Sequence, residues 1–313
     1  MSANGKVRIG VVGAGHFGQN HCRVVRQSDR AELSAVVDTD SSRAPIADFR
    51  ELAGKADAAI VSAPTSVHAE IGCWLLEHGI DVLVEKPIAA DLDSADRLVA
   101  AADRNGRILQ VGHLERFNPA VVALESRATL PLFFEIHRLS VFSPRSLDVD
   151  VILDLMIHDI DIILNLVGAE PEEVRAAGIS ILSQKVDIAN ARLQFPNGCV
   201  ANLTASRVST ERVRKLRLFQ PQQYVSLDYA RQDLSLLSVG ENRQISFAPV
   251  SIEKAEPLQL QFDAFLDSLE TRNPAKTSGA SARRTLRVGL AILDKIKEHA
   301  EIVSNSLVGG WKR

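Results

Sequence analysis

The chain is 313 residues long, 46% hydrophobic and 24% charged, with a formal net charge of −3. The length exceeds one ordinary domain, the composition excludes a disordered chain, and the weak negative charge gives no electrostatic reason to bind nucleic acid or an anionic membrane. Three scattered cysteines, Cys22, Cys73 and Cys199, are too few for a disulfide framework or a cysteine-rich zinc site.

Met1 to Lys6 pass directly into a strand-like run without the apolar core of a signal peptide, so a reducing cytoplasm is expected. The apolar run Val7 to Val12 then meets Gly13-Ala14-Gly15-His16-Phe17-Gly18, a helix-compatible stretch to about Gln27 and a second run from Leu33 to Val37. A strand before and a helix after are the setting that a G-x-G-x-x-G dinucleotide fingerprint requires. Glycines permit the tight turn and close pyrophosphate approach, and the helix N-terminus offers free N–H groups and a positive dipole. Gly13, Gly15 and Gly18, with His16 and Phe17 in the same turn, are the expected cofactor contacts.

Asp38 ends the next strand twenty residues past Gly18, where a carboxylate can accept hydrogen bonds from an adenosine ribose diol. It would repel a 2′-phosphate, and the following Thr39-Asp40 brings no arginine to neutralise one, so NAD is favoured over NADP. Thr39 joins the expected cofactor contacts. Arg43 either flanks the adenine or is a solvated arginine at a helix start.

Short buried-type strands follow at Ala58 to Ala63, Val82 to Val84 and Ile108 to Val111, with helical patterns at His68 to Glu77 and Ser94 to Asn105. Such alternation predicts a parallel, doubly wound α/β sheet ending near Asn118-Pro119. Residues 1–119 are therefore expected to bind the dinucleotide, and residues 120–313 to form a second domain. The loop Ala63-Pro64-Thr65 with His68 sits at a strand's carboxyl edge. It lines a nicotinamide ribose, or it is a capped helix start with His68 on its first turn. Glu85-Lys86-Pro87 ends the Val82–Val84 run and so delivers Lys86 to the mouth of the nucleotide site. There an ammonium can donate to a substrate oxygen or move a proton. A strand-end lysine reaching solvent before a proline turn is the plainer alternative.

Longer β-like runs come next, at Leu132–Val141, Val174–Leu182, Ala189–Phe195, Cys199–Ser206, Val213–Phe219 and Tyr224–Leu227. The Phe195-Pro196-Asn197-Gly198 turn is a hairpin signal, so a mainly antiparallel α+β domain is expected. Two helices, about Leu258–Glu270 and Arg283–His299, close the chain. Within this half, Val151 to Val167 is very apolar yet carries Asp154, His158, Asp159 and Asp161, which a bilayer would penalise; it reads as a buried helix with a polar face. Spacings of four and three put Asp154, His158 and Asp161 on one face, which is costly unless that face meets a cleft or is fully hydrogen-bonded. A histidine beside a carboxylate fits an oriented general base. A metal cluster and core ion pairing are the alternatives, and no metal is expected.

Together, Gly13-Ala14-Gly15-x-x-Gly18-x-x-His21, Pro64-Thr65-x-x-His68, Glu85-Lys86-Pro87 and Asp154-x-x-x-His158 resemble the Gfo/Idh/MocA family of sugar and inositol oxidoreductases, over nearly the whole chain. The resemblance implies NAD, a Rossmann domain and a C-terminal open antiparallel sheet that is often an oligomer interface, hence a homodimer or homotetramer. It implies catalytic roles for Lys86, Asp154 and His158, places Glu85 at the cofactor site, and suggests a cis bond before Pro87 that aims Lys86 inward. In the implied chemistry His158 takes a ring-hydroxyl proton, Lys86 stabilises the developing alkoxide and Asp154 orients its neighbours.

Many family members carry a glycine between the aspartate and the histidine, where this chain has Leu155-Met156-Ile157, so a stiffer helix and a bulkier wall are expected. The segment Val111 to Pro119 and the Asp154–Asp161 helix look like a subgroup containing UDP-N-acetylglucosamine 3-dehydrogenases, whose ketone product is aminated for lipid A precursors. On that resemblance Arg116, Asn118, Asp161 and Arg207 are candidate contacts to a sugar or nucleotide sugar, with Arg212 beside them. Arg207 and Arg212 could equally be ordinary strand arginines, and Arg116 and Asn118 could simply hold the domain junction. Inositol, a free sugar or a UDP-sugar uronic acid are alternative substrates. A non-catalytic NAD-sensing scaffold is an alternative of another class, one that needs the glycine turn but no proton-transfer pair.

Overall fold

The structure is a computed structural model that describes residues 5–142, 149–240 and 242–308. The chain divides into two compact units, Met1–Phe117 with Ala255–Leu286, and Asn118–Lys254 with Arg287–Arg313.

The first unit is built on five strands, β1 (Val7–Val12), β2 (Ala31–Val37), β3 (Ala58–Val61), β4 (Asp81–Val84) and β5 (Leu109–Val111), in the order β2-β1-β3-β4-β5. Every pairing is parallel. All four residues of β3 and of β4 are buried, as strands covered on both faces must be, which is why Ala58–Val61 and Val82–Val84 appear in the sequence as unbroken apolar runs. Helices α1 (His16–Gln27), α2 (His68–Glu77) and α3 (Leu92–Asn105) connect them. Asp91 caps α3 by accepting the Ser94 N–H at 2.7 Å, and Gly106 ends it at φ +57°, a conformation glycine adopts without strain.

The second unit begins with α4 (Pro119–Glu125) and β6 (Phe133–Val141), then a wide π-type turn at Ile152–Met156 that leads into α5 (Ile157–Val167). β7 (Glu173–Ile179), β8 (Ile188–Gln194), β9 (Val200–Ser209), β10 (Val213–Gln220), β11 (Gln223–Asp228), β12 (Asp233–Val239) and β13 (Ile245–Val250) complete it. The eight strands form one sheet, ordered β13-β12-β11-β10-β6-β9-β8-β7, antiparallel except where β6 meets β9. Inward residues such as Ala189, Ala191 and Leu193 of β8 join Ile160 and Ile163 of α5 in the core.

β12 and β13 lie beyond the last strand expected from the sequence. β13 is an edge strand with Ile245 and Phe247 71% and 68% exposed while Val250 at its end packs against the core, and its Pro249 is tolerated because an edge strand needs fewer donors. Two helices close the chain. α6 (Pro257–Thr271) belongs to the first unit, where Phe262, Phe265 and Leu266 pack with Ile9, Val24 and Ile60. α7 (Gly279–Val308) is divided between the units after Leu286. Among the described residues no helix is long and apolar enough to cross a membrane.

Candidate active site

The three glycines of the β1–α1 turn are required for different reasons. Gly13 has φ +95°, and a Cβ there would come 2.6 Å from the Ser62 carbonyl. A Cβ on Gly18 would collide with the Gly13 carbonyl oxygen, so this glycine lets helix α1 approach the turn. Gly15 meets neither limit: its φ is −65°, and a Cβ would find no protein atom within 4 Å. Its small size is therefore left for something outside the chain, which is what the middle glycine of a dinucleotide turn provides at a pyrophosphate.

Asp38, just past β2, accepts the Ala14 N–H at 2.7 Å and the Asp40 N–H at 2.9 Å, so its carboxylate is oriented against the glycine turn. Gly13, Gly15, Asp38, Thr39, Arg43, Ala63 and Pro64 line one cleft of about 680 Å³. Its size, open glycine and carboxylate fit NAD. Arg43 is exposed, with Nε 3.1 Å from Asp40. Gly18 is buried in the turn, and His16 and Phe17 are exposed on the first turn of α1.

His68, by contrast, turns inward. It is 1% exposed, with Nε2 2.9 Å from the Ala63 carbonyl and Nδ1 3.0 Å from the Pro87 carbonyl. The ring thus ties the loop after β3 to the loop after β4. Burial pushes its imidazole below the ordinary pKa, against two carbonyls that favour the charged form. Glu85 is also turned inward. One carboxylate oxygen lies 2.8 Å from His21 Nε2, and the other accepts the Lys86 N–H at 3.3 Å. Lys86 itself is half-buried beyond the end of β4, and the Lys86–Pro87 bond is cis. Thr65, Glu85 and Lys86 stand outside the lining of the Asp38 cleft.

In the second unit Asp154 and His158 are half-buried, and Asp161 is 2% exposed. Asp154 lies in the π-type turn, where the Ile157 N–H reaches back five residues to the Ile152 carbonyl. The stiff α-helix expected there is replaced by a wider turn. Buried Val151 and Ile152 recur as buried Met156 and Ile157 at a spacing of five, which this winding satisfies. Asp159, singled out only as part of the polar face, forms a two-bond ion pair with Arg138 of β6, both contacts 2.8 Å and both side chains 2% exposed. The signal for that pair is Arg138 at an inward register of an alternating strand.

Of the remaining candidates, Asn118 caps α4 through the Ala120 N–H at 3.1 Å and donates to the Tyr229 carbonyl at 3.0 Å. Arg207 is 5% exposed, donates to the Val149 carbonyl and lies 3.7 Å from Asp187. Burial pushes the Asp187 carboxyl up, but the Ile181, Leu182 and Ser183 N–H groups and the Ser183 hydroxyl outweigh it and hold it at about 2. Arg116 is buried in a single 3₁₀ turn, Leu114–Phe117, in the first unit. Among the described residues no three His, Cys, Asp or Glu side chains form a group able to hold a metal.

Residues 7–113 match the model of an oxidoreductase family with an NAD-binding Rossmann fold, and residues 131–221 match the Gfo/Idh/MocA C-terminal domain. A UDP-N-acetylglucosamine 3-dehydrogenase of Acidithiobacillus ferrooxidans is 34% identical over 302 residues, covering 91% of this chain and 96% of that protein. A solved structure of an enzyme of that name from the same organism superposes with a TM-score of 0.89 at 33% identity, over 94% of this chain and 98% of the other. A myo-inositol 2-dehydrogenase of Thermotoga maritima is 23% identical over 336 residues, 97% of this chain and all of that protein. The glycine turn, the Asp38 cleft and these similarities agree: the chain belongs to the Gfo/Idh/MocA family of NAD-dependent oxidoreductases.

Proposed function

We propose that this dehydrogenase oxidises a secondary ring hydroxyl of a nucleotide sugar, the 3-hydroxyl of UDP-N-acetylglucosamine, to a ketone. The observation that carries the reading is the near full-length similarity, at 34% identity, to a protein named for that reaction. Lys86, Asp154 and His158 supply the chemistry.

NAD, when bound, supplies the hydride acceptor at the nicotinamide ring. Gly13, Gly15 and the α1 N-terminus hold its pyrophosphate, and Asp38 holds its adenosine ribose. His158 accepts the proton of the hydroxyl as the ring carbon gives up its hydrogen with both electrons, which leaves the carbonyl. Lys86 donates a hydrogen bond to the same oxygen, where negative charge develops; losing such a donor in comparable sites slows turnover roughly 10²–10³-fold. Asp154, one turn from His158, orients the base. Arg116, Asn118, Asp161 and Arg207 are the proposed sugar contacts, and Asn118 and Arg207 also bond within the protein.

The half-exposed sheet face around Phe133, Phe219 and Tyr224, with ring centroids 5.8 and 5.0 Å apart, supports a homodimer or homotetramer. The three free cysteines suit the cytoplasm, and a 3-keto nucleotide sugar suits later amination toward lipid A precursors. A cyclic polyol is the second reading, favoured by the full-length similarity to the inositol enzyme.

The test is NADH absorbance after mixing protein, NAD and UDP-N-acetylglucosamine with a carbonyl trap to draw the oxidation forward. A trap-dependent rise, absent with free N-acetylglucosamine and lost in Lys86→Ala and His158→Ala, is the expected result. Turnover of inositol or an unactivated sugar alone would overturn the nucleotide-sugar reading.

A further inference from the structure

One end of the Asp38 cleft is walled by residues that neither the glycine turn nor the proton-transfer group explains. Phe49, Ala47, Glu70 and Ile71 line it. Phe49 opens a short 3₁₀ turn, Phe49–Leu52, whose cap Asp48 accepts the Arg50 N–H at 2.9 Å. Leu52, on the same side of the turn three residues later, is fully buried, and its two methyl carbons lie 2.8 Å from where a Cβ on Gly10 of β1 would stand. The half-buried Phe49 ring is therefore fixed to the sheet. Trp74 of α2 meets it edge-on, with centroids 5.7 Å apart at 81°, and the Arg50 guanidinium lies 4.6 Å from its centroid.

The topology says which part of the cofactor comes here. The glycine turn follows β1, which has β2 on one side and β3 and then β4 on the other. A dinucleotide with its pyrophosphate on that turn and its ribose diol on Asp38 must send its adenine to the β2 side. The nicotinamide then goes toward Ala63-Pro64. On the adenine side the walls are the segment after Asp38 and the start of α2, and among the described lining residues Phe49 is the one aromatic. Arg43, the residue that sequence position suggests for this role, has its guanidinium turned to Asp40.

We propose that Phe49, braced by Trp74 and anchored through Leu52, is the adenine-recognition wall of the NAD site. The inference rests on the NAD reading of the cleft and adds the residue that recognises the base. Trp74 then lies close enough to the bound cofactor for its emission to be quenched by the reduced nicotinamide dinucleotide.

The experiment compares NADH, ADP-ribose and reduced nicotinamide mononucleotide binding to wild type, Phe49→Ala and Phe49→Tyr, by tryptophan quenching and calorimetry. Phe49→Ala is expected to weaken NADH and ADP-ribose alike by roughly ten-fold, the scale of base stacking on an aromatic ring. The mononucleotide, which lacks adenine, should bind as in wild type, Phe49→Tyr should stay within about two-fold, and Trp74→Phe should remove most of the quenching. Unchanged NADH affinity in Phe49→Ala would overturn the proposal, as would an equal loss for NADH and the mononucleotide, which marks a collapsed cleft. Wild-type protein that binds neither NADH nor ADP-ribose would remove the NAD reading itself and the proposal with it.

Discussion

Nε2 of His21 lies 2.8 Å from Oε1 of Glu85, which joins helix α1 of the glycine turn to the residue preceding Lys86. Both side chains are buried, and a Cβ on Gly112 would stand 2.7 Å from the Glu85 carboxylate, so the carboxylate has a fitted seat and little room to move. Among the described residues His21 Nδ1 has no hydrogen-bond partner, so the contact of Nε2 with Glu85 is the ring's one polar bond. His21→Ala leaves a buried carboxylate short of a donor and should cost about 1–3 kcal/mol of stability in denaturant titration. Gly112→Ala should displace Glu85 and lower turnover, measured at saturating NAD. Wild-type stability in His21→Ala would mean that the pair contributes nothing to holding the turn and the lysine loop together.

The glycines separate folding from binding. Gly13→Ala and Gly18→Ala each place a methyl against backbone and should lower the melting temperature. Gly15→Ala places it in open space. It should leave the melting temperature unchanged and weaken NAD by at least about ten-fold in calorimetry, because a methyl there stands where the pyrophosphate approaches. A stable Gly15→Ala protein with wild-type NAD affinity would contradict the fit of the cofactor to this turn.

His68 gives a pH dependence with a defined sign. Its folded pKa lies below the ordinary 6.5, so below that pH the unfolded chain takes up a proton that the folded chain refuses. The stabilisation is complete above 6.5 and declines as pH falls, levelling off once the folded ring also protonates. Denaturant titrations of wild type and His68→Gln between roughly pH 7.5 and 5 should show a steeper loss in wild type. Parallel curves would remove His68 as the titrating link between Ala63 and Pro87.

The Arg138–Asp159 pair is buried beside His158, and breaking it strands a charge. Asp159→Ala should cost about 3–5 kcal/mol, whereas Arg138→Met with Asp159→Leu should recover much of the loss. The comparison is made by thermal melting, and a double variant no better than the single would argue against the pair as the source.

The parallel sheet was legible because its strands are mostly short apolar runs, fully buried in β3, punctuated by the glycine turn and by Glu85-Lys86-Pro87. Part of the Asp38 cleft was legible for the same reason: Gly13, Asp38 and Ala63 fall at the ends of those runs, whereas Phe49 and Glu70 do not. Sequence spacing does not say where a side chain turns once it is there. Glu85 is placed at the cofactor site by resemblance and His68 stands between a ribose contact and a helix start; their bonds to His21, Ala63 and Pro87 depend on elements distant in the chain. Helix α6 packs on the first sheet from more than a hundred residues downstream, which periodicity cannot convey. The π-type turn escaped because a five-residue recurrence over one turn resembles an ordinary apolar helix.

The most direct measurement uses UDP-N-acetylglucosamine deuterated at C3, with mass analysis of the reduced cofactor and the rate of its formation in a single turnover. The expected result is deuterium in the cofactor and a slower rate than with the protonated sugar, both lost in His158→Ala that still binds NAD. Reduced cofactor formed without deuterium, or an unreactive nucleotide sugar beside an active cyclic polyol, would contradict oxidation at that hydroxyl.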